Sequence, residues 1–335
     1  MKISASIYSD NKRNIKEIIE TLDELEIDLL HVDCNDDEKV FDDIALIKTI
    51  SSTPIDLHII SSTPEKYFDT IEKNKVDLCA FQFENFNSKI SFPTFSKTKI
   101  GLAIMADTGI EVFEQYKSVC DFILLMTTTP GKSGGTFNTN TFQKIRQFKK
   151  QYPDKKIHVD GGVNNEVSFI LRDLGVYASV SGSYLMRHKN MGSALLKLKS
   201  EQASSNFLVK DFMIQQNELP ILSITKTDFK EAVTIMEDYK LGFVLYTDEK
   251  NKMAGISSNA DLRKAILKNI NQLDKIELMD MINKNPITIN ENKTIAQMLS
   301  FVKSFSFPIL FLPVVNNENE ITGALTFNNL IKGEA

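Results

Sequence analysis

The chain has 335 residues, 42% of them hydrophobic and 25% charged, with a formal net charge of -5, a balance that excludes a disordered chain and suits a globular protein large enough for two domains. Lysines and glutamates are scattered along helical stretches rather than gathered into basic blocks, so no nucleic-acid partner is expected. No apolar run approaches the ~20 residues of a membrane span, and the start, MKISASIYSD, lacks a secretory pattern, so a cytoplasmic protein with no membrane partner is expected.

Apolar runs short enough for single strands recur at KISASIY, DLLHVDC, PIDLHII, VDLCAFQF, KIGLAIM, CDFILLM, KIHVDGG and YASVSGS. Stretches with helical periodicity, such as NIKEIIETLDEL, FDDIALIKTI and FQKIRQFKKQY, lie between them. Eight βα alternations in about 200 residues predict an α/β fold, a closed (β/α)8 barrel over residues 1–200. An open doubly wound sheet fits less well. The first strand is not followed by a G-x-G-x-x-G turn, and polar residues cluster at strand C-terminal ends all round the set. Near residue 200 the polar string SEQASSNF marks a linker. An internal duplication follows: PILSI, FKEAVTIMEDY, GFVLYTD and MAGISSNADLRKAI are matched by PITI, TIAQMLSFVK, LFLPVVN and ITGALTFNNLIKG, with Gly255 and Gly323 at a separation of 68 residues. Cys34, Cys79 and Cys120 are odd in number and far apart, which suits reduced buried thiols better than disulfides or a cysteine-based metal site.

The chemistry-bearing residues sit on the strands. His31 and Asp33 are two apart on LLHVDC and share one face, whereas Cys34 faces the other way. With His58 of IDLHII and Asp160 of KIHVDGG they form two imidazoles and two carboxylates, a set that can hold one divalent metal and still supply two acid/base groups. His158 points inward but lower, as a core residue. His188 and the acidic run Asp36, Asp37, Glu38, Asp42 and Asp43 are expected to be solvated. Gly131, Gly134 and Gly135 follow the sixth strand, Gly161 and Gly162 the seventh, and Gly182 with Ser183 the eighth. Three such turns after the last three strands favour a phosphate held by bare backbone N–H groups. PGKSGG is not a P-loop, because that pattern needs glycine at position 126 and the chain has Met126.

The strings SIYSD, LHVDCND, DLHII, LLMTTTPGKSGGTF, VDGGVN and VSGSYLM, in that order and spacing, resemble the ribulose-phosphate 3-epimerase family over almost all of residues 1–190. The resemblance implies a TIM barrel, an isomerase acting on a sugar phosphate, and a metal held by His31, Asp33, His58 and Asp160. It further implies Asp33 and Asp160 as the two proton-transfer groups and a substrate contact at Ser6, with His58 and Met126 also beside the substrate. Mixed N/O ligation is compatible with Zn, Fe(II), Mn or Co. The chain departs from the family pattern after Asp33, where Cys34, Asn35, Asp36, Asp37 and Glu38 replace V-M-D-G-x-F-V-P-N. It departs again at His58-Ile59-Ile60 in place of H-L-M, at Phe81-Gln82-Phe83-Glu84 in place of F-H-x-E, and at the sixth loop, where Lys132 and Ser133 replace one residue. These changes touch the sugar pocket and its lid and leave the metal set complete, so C3 epimerisation of ribulose 5-phosphate or a related ketose phosphate is expected.

The duplicated segment resembles a tandem pair of CBS domains, an α+β module over residues 207–335 with repeats at about 207–270 and 276–335. Met213 and Met281 precede the units, and a G-h-x-S/T-x-x-D/N turn enters each last helix. The resemblance implies nucleotide or nucleotide-sugar binding, with Ser258 and Asp261 in one site and Thr326 and Asn329 in a second, unequal one. It also implies a homo-oligomer. VKDFM, GISSNADLR and ITGAL are similar to the CBS tail of arabinose-5-phosphate isomerase, which points to a sugar-phosphate pathway. A catalytically silent, nucleotide-responsive sensor or scaffold that binds a sugar phosphate is the alternative, opposed by the complete metal set. A decarboxylase of related barrels would need a D-x-K-x-x-D string, and LHVDCND contains no lysine.

Overall fold

The computed structural model describes residues 1–132, 134–200 and 207–327, which form two compact units that separate between residues 200 and 207. In the first, eight parallel strands close a barrel in sequence order. They are β1 (Lys2–Ser6), β2 (Leu29–Cys34), β3 (Ile55–Ile59), β4 (Leu78–Gln82), β5 (Lys99–Ile104), β6 (Phe122–Met126), β7 (Lys156–Asp160) and β8 (Ala178–Ser181). Their continuous apolar character follows from burial on both faces, barrel side and helix side. The helices are α1 (Ile15–Glu24), α2 (Val40–Ile50), α3 (Phe68–Lys73), α4 (Asn140–Gln151), α5 (Asn165–Asp173), α6 (Ser183–Met186) and α7 (Met191–Lys199). Helix α1 begins where the Asn14 side chain accepts from Glu17 N–H, and it buries Ile18, Ile19 and Leu22, the stripe its periodicity predicts.

The alternation is not strict. The connections after β4 and β5 contain only short 3₁₀ turns, Phe83–Asn85 and Ile110–Gln115. The stretch after β4 is rich in Asn, Ser and Thr and carries Pro93, so it cannot sustain a helix. Aromatic rings fill the space instead: Phe92 lies 4.8 Å from Phe81 and 6.1 Å from Phe68, and Phe95 6.0 Å from Phe68.

The barrel interior is unusually polar. Ser4, His31, Asp56, His58, Gln82 and His158 are all buried there. His158 stacks 4.2 Å from Phe122 and 5.6 Å from Tyr177, and neither ring nitrogen has a hydrogen-bond partner. Burial pushes its pKa down to about 4, so it behaves as a neutral core ring.

The second unit opens with α8 (Val209–Phe212) and β9 (Ile214–Gln215) and then repeats itself. The first copy holds β10 (Ile221–Ser223), α9 (Phe229–Tyr239), β11 (Phe243–Thr247), β12 (Met253–Ser258) and α10 (Asn259–Lys268). The second holds β13 (Ile289–Asn290), α11 (Ile295–Lys303), β14 (Phe311–Val315) and β15 (Ile321–Thr326). Each leading segment crosses to the other copy: β9 pairs antiparallel with β15, and Asn283 exchanges both main-chain hydrogen bonds with Ile256 of β12. These crossings explain the matched glycines. A Cβ on Gly323 would lie 2.6 Å from the Ile214 carbonyl oxygen and 2.4 Å from Met213 Sδ, and one on Gly255 would lie 2.6 Å from Ile282 Cγ2. Leu219, Phe243, Leu245 and Ile256 share one core with Ile321 and Ala324, so the two sheets are packed together.

Candidate active site and ligand groove

Strand register sets the barrel site. His31 is the partner of Asp56, and Asp33 the partner of His58, so the two polar residues of β2 and those of β3 lie crosswise on one face. Asp160 ends β7. Donor atoms of His31, Asp33, His58 and Asp160 all lie within 4.8 Å of one another. Asp33 Oδ1 is 3.3 Å from His31 Nε2 and 3.2 Å from His58 Nδ1, and Asp160 Oδ2 is 3.8 Å from His31 Nε2. Cys34 is buried on the opposite, helix-facing side.

This donor set fits a divalent cation. Two imidazole nitrogens and two carboxylate oxygens converge, the mixed ligation borderline transition metals accept. His31 is further oriented from behind: its Nδ1 lies 3.0 Å from Asp56 Oδ2, which also accepts from the Ser4 hydroxyl at 2.8 Å. A buried carboxylate on the far nitrogen turns the near nitrogen of a ligating histidine toward the metal. Asp56 went unassigned in the sequence reading. The signal for it was present, because it stands two residues before His58 on the same face. The His58 Nε2 side is closed by Gln82, 2.8 Å away.

Electrostatics separates the two acids. Burial of His31 opposes its charge, but the Asp56 and Asp33 carboxylates outweigh burial and raise its pKa well above the usual histidine value. Asp33 is likewise opposed by burial, yet the charge of His31 and its hydrogen bond hold the Asp33 carboxyl well below the ordinary range. Asp160 is pushed up to about 6, mainly by burial, with the Asp33 charge adding to it.

Above the donors lies a cavity of about 330 Å³. Ser6, Asp33, Asp160 and every predicted glycine, Gly131, Gly134, Gly135, Gly161, Gly162 and Gly182, line it together with Ser183. Gly161 is held at a φ of +112°, and a Cβ there would meet Thr128 N at 2.8 Å, so only glycine fits. His58 and Met126 do not reach the cavity wall: both are buried, Met126 beside Asp160 in strand register. Tyr8, Lys132, Asn164 and Tyr184, which the motif reading left without a role, also line it. Tyr8 is fixed there by a 2.7 Å hydrogen bond to Asp43.

The duplicated unit carries a second groove, about 590 Å³, lined by Ser258, Asp261 and Arg263, by the segment from Asn285 to Ile287, and by Phe307 to Phe311. Ser258 and Asp261 form the cap of α10. Asp261 Oδ2 accepts from Ser258 N–H at 3.0 Å and from the Ser258 hydroxyl at 2.5 Å, leaving Oδ1 near the exposed Lys264. Thr326 closes β15 and is half-buried, and Asn329 lies outside the described residues.

The model of the ribulose-phosphate 3 epimerase family matches residues 2–186, more than half of the chain. The chain belongs to that family. It is therefore an epimerase, an isomerase-class enzyme on a TIM barrel. It is 25% identical over 215 residues to the ribulose-phosphate 3-epimerase of Synechocystis sp., an alignment covering 60% of this chain and 94% of the relative. It is 23% identical over 216 residues to the Bacillus subtilis enzyme, covering 60% and 100%, and 27% identical over 231 residues to that of Methanocaldococcus jannaschii, covering 63% and 97%. The CBS domain model matches residues 278–334. The CBS-pair protein CBSX2 of Arabidopsis thaliana is 20% identical, with a TM-score of 0.32, over 38% of this chain and 92% of that one. Among the described residues no helix is long and apolar enough to cross a membrane.

Proposed function

We propose that this epimerase inverts C3 of ribulose 5-phosphate or a related ketose phosphate in a metal-dependent reaction, and that a nucleotide or nucleotide-sugar at the CBS pair regulates it. The observation that carries the reading is the convergence of His31, Asp33, His58 and Asp160 below a glycine-lined cavity. Epimerisation beside a ketone breaks one C–H bond and remakes it on the opposite face. Asp33 on β2 and Asp160 on β7 stand across the mouth from each other, with β8 and β1 between them. One carboxylate accepts the C3 proton, the bonding pair moves toward the ketone as an enediolate, and the other carboxyl donates a proton to the opposite face. The roles exchange in the reverse direction. Because Asp33 Oδ1 faces the imidazoles, Oδ2 is left to handle the proton. A bound divalent cation would supply Lewis acidity toward the negative charge of the enediolate. The bare N–H groups around Gly134, Gly161 and Gly182 suit the phosphate, and the cavity size suits a short sugar chain.

Elemental analysis of the purified protein, followed by solvent-deuterium exchange with ribulose 5-phosphate and with six- and seven-carbon ketose phosphates, tests the reading. A bound divalent metal and label at C3 of one substrate are expected, and both Asp33→Asn and Asp160→Asn should abolish the exchange while keeping the fold. A metal-free protein that exchanges none of them would leave only a ligand-binding barrel.

A further inference from the structure

A chain of three side chains runs from the donor cluster to the exposed turn after β4: His58, Gln82 and Glu84. Gln82 ends β4, is fully buried, and holds its amide between the other two. Its Oε1 lies 2.8 Å from His58 Nε2, and its Nε2 donates to Glu84 Oε2 at 2.5 Å. Glu84 is itself pinned, since its Oε1 accepts the Met105 main-chain N–H at 2.8 Å and the Thr108 hydroxyl.

The donor and acceptor inventory then fixes a proton. Glu84 receives three donors, and a carboxylate can only accept, so the amide nitrogen of Gln82 must face it. The amide oxygen is thereby turned to His58, and an amide oxygen can also only accept. The His58 proton must therefore sit on Nε2. Nδ1 keeps its lone pair, directed to the side where Asp33 Oδ1 lies 3.2 Å away and where the other donors converge. We infer that Gln82, oriented by Glu84, is a positioning residue that presents His58 Nδ1 as a metal ligand. The inference rests on the metal reading of the cluster. It also gives a physical sense to the sequence departure at strand four, because an imidazole at position 82 can likewise donate to Glu84 from one nitrogen and accept from His58 at the other, whereas an apolar side chain can do neither.

The full chain is stripped of metal, and its Zn(II) affinity is measured by competition with a chromogenic chelator for wild type, Gln82→Leu, Gln82→His and Glu84→Gln. The His58 ring N–H is followed by nitrogen-edited NMR in each Zn(II)-loaded protein. Gln82→Leu leaves a buried N–H without an acceptor and should weaken Zn(II) binding roughly 10- to 100-fold, the range for lost partners of metal-bound histidine, with the ring N–H signal shifted or lost. Gln82→His should restore both readouts. Glu84→Gln, whose amide no longer forces the orientation of Gln82, should show a smaller loss of the same sign. Wild-type affinity with an unmoved ring signal in Gln82→Leu overturns the inference. Where Gln82→Leu does not fold by circular dichroism, the same result in Glu84→Gln overturns it. Failure of the wild-type chain to bind Zn(II) is a separate outcome that removes the metal reading itself.

Discussion

Asp173 closes α5, the helix that begins beside the barrel cavity, and it is buried, with only 6% of its surface exposed. Burial pushes its carboxyl up from 3.8 to about 7, and the charge of Lys149 offsets only part of that rise. Its place at a helix C-terminus, where the dipole is negative, works in the same direction. The unfolded chain ionises near 3.8, so between pH 4 and 7 it loses the proton that the folded state keeps. A carboxyl raised in this way stabilises the fold most at low pH, and that contribution is lost as pH rises through about 7. At 1.36 kcal/mol per pKa unit the whole effect is about 4 kcal/mol. Asp173→Asn keeps the shape and removes the titration. The variant should therefore gain on wild type progressively from pH 5 to pH 8, by about 2–3 kcal/mol over the interval, the ~2 pKa units that remain above pH 5 at 1.36 kcal/mol each. Urea unfolding of both proteins by circular dichroism at the two pH values measures it, and the difference between the proteins cancels the other titrating groups. Parallel stability curves for variant and wild type would show that Asp173 ionises in the folded barrel as it does in the unfolded chain.

Asp56→Asn removes the carboxylate behind His31 and should weaken metal binding by roughly 10- to 100-fold in a chelator competition, with the fold retained. Gly323→Ala sets a methyl against the Ile214 carbonyl and Met213, and overpacking of this kind costs about 1–3 kcal/mol, which calorimetry should register in the CBS unit with the barrel transition unmoved. Asp261→Ala should abolish nucleotide binding in a titration with adenosine nucleotides without changing metal content, at a cost of about 1 kcal/mol in thermal stability from the lost α10 cap.

The eight strands were legible because each is a short, doubly buried apolar run bounded by polar turns, and β-strand alternation alone placed His31 with Asp33 on one face. The second unit was legible because it is written twice: the helix predicted over FKEAVTIMEDY coincides with α9. Two kinds of feature were not. The aromatic filling of the gap after β4, by Phe68, Phe81, Phe92 and Phe95, is a tertiary fact that no local pattern carries. The supports of the histidines depend on inter-strand register: Asp56 and Gln82 are ordinary strand residues until β3 is set against β2 and β4 against β3. Tyr8 and Lys132 reach the cavity through loops whose course the sequence does not specify.

The crossing of leading segments in the CBS unit also bears on how that unit can be cut. Because β9, ahead of the first copy, completes the sheet of the second, and Asn283, ahead of the second, completes that of the first, each half borrows an edge from its twin. Excising either copy with its leading segment would strip a main-chain partner from the one that remains, β9 from β15 or the Asn283 bridge from β12, and bare unpaired groups to solvent. The duplicated segment therefore folds, melts and tolerates truncation as a single object.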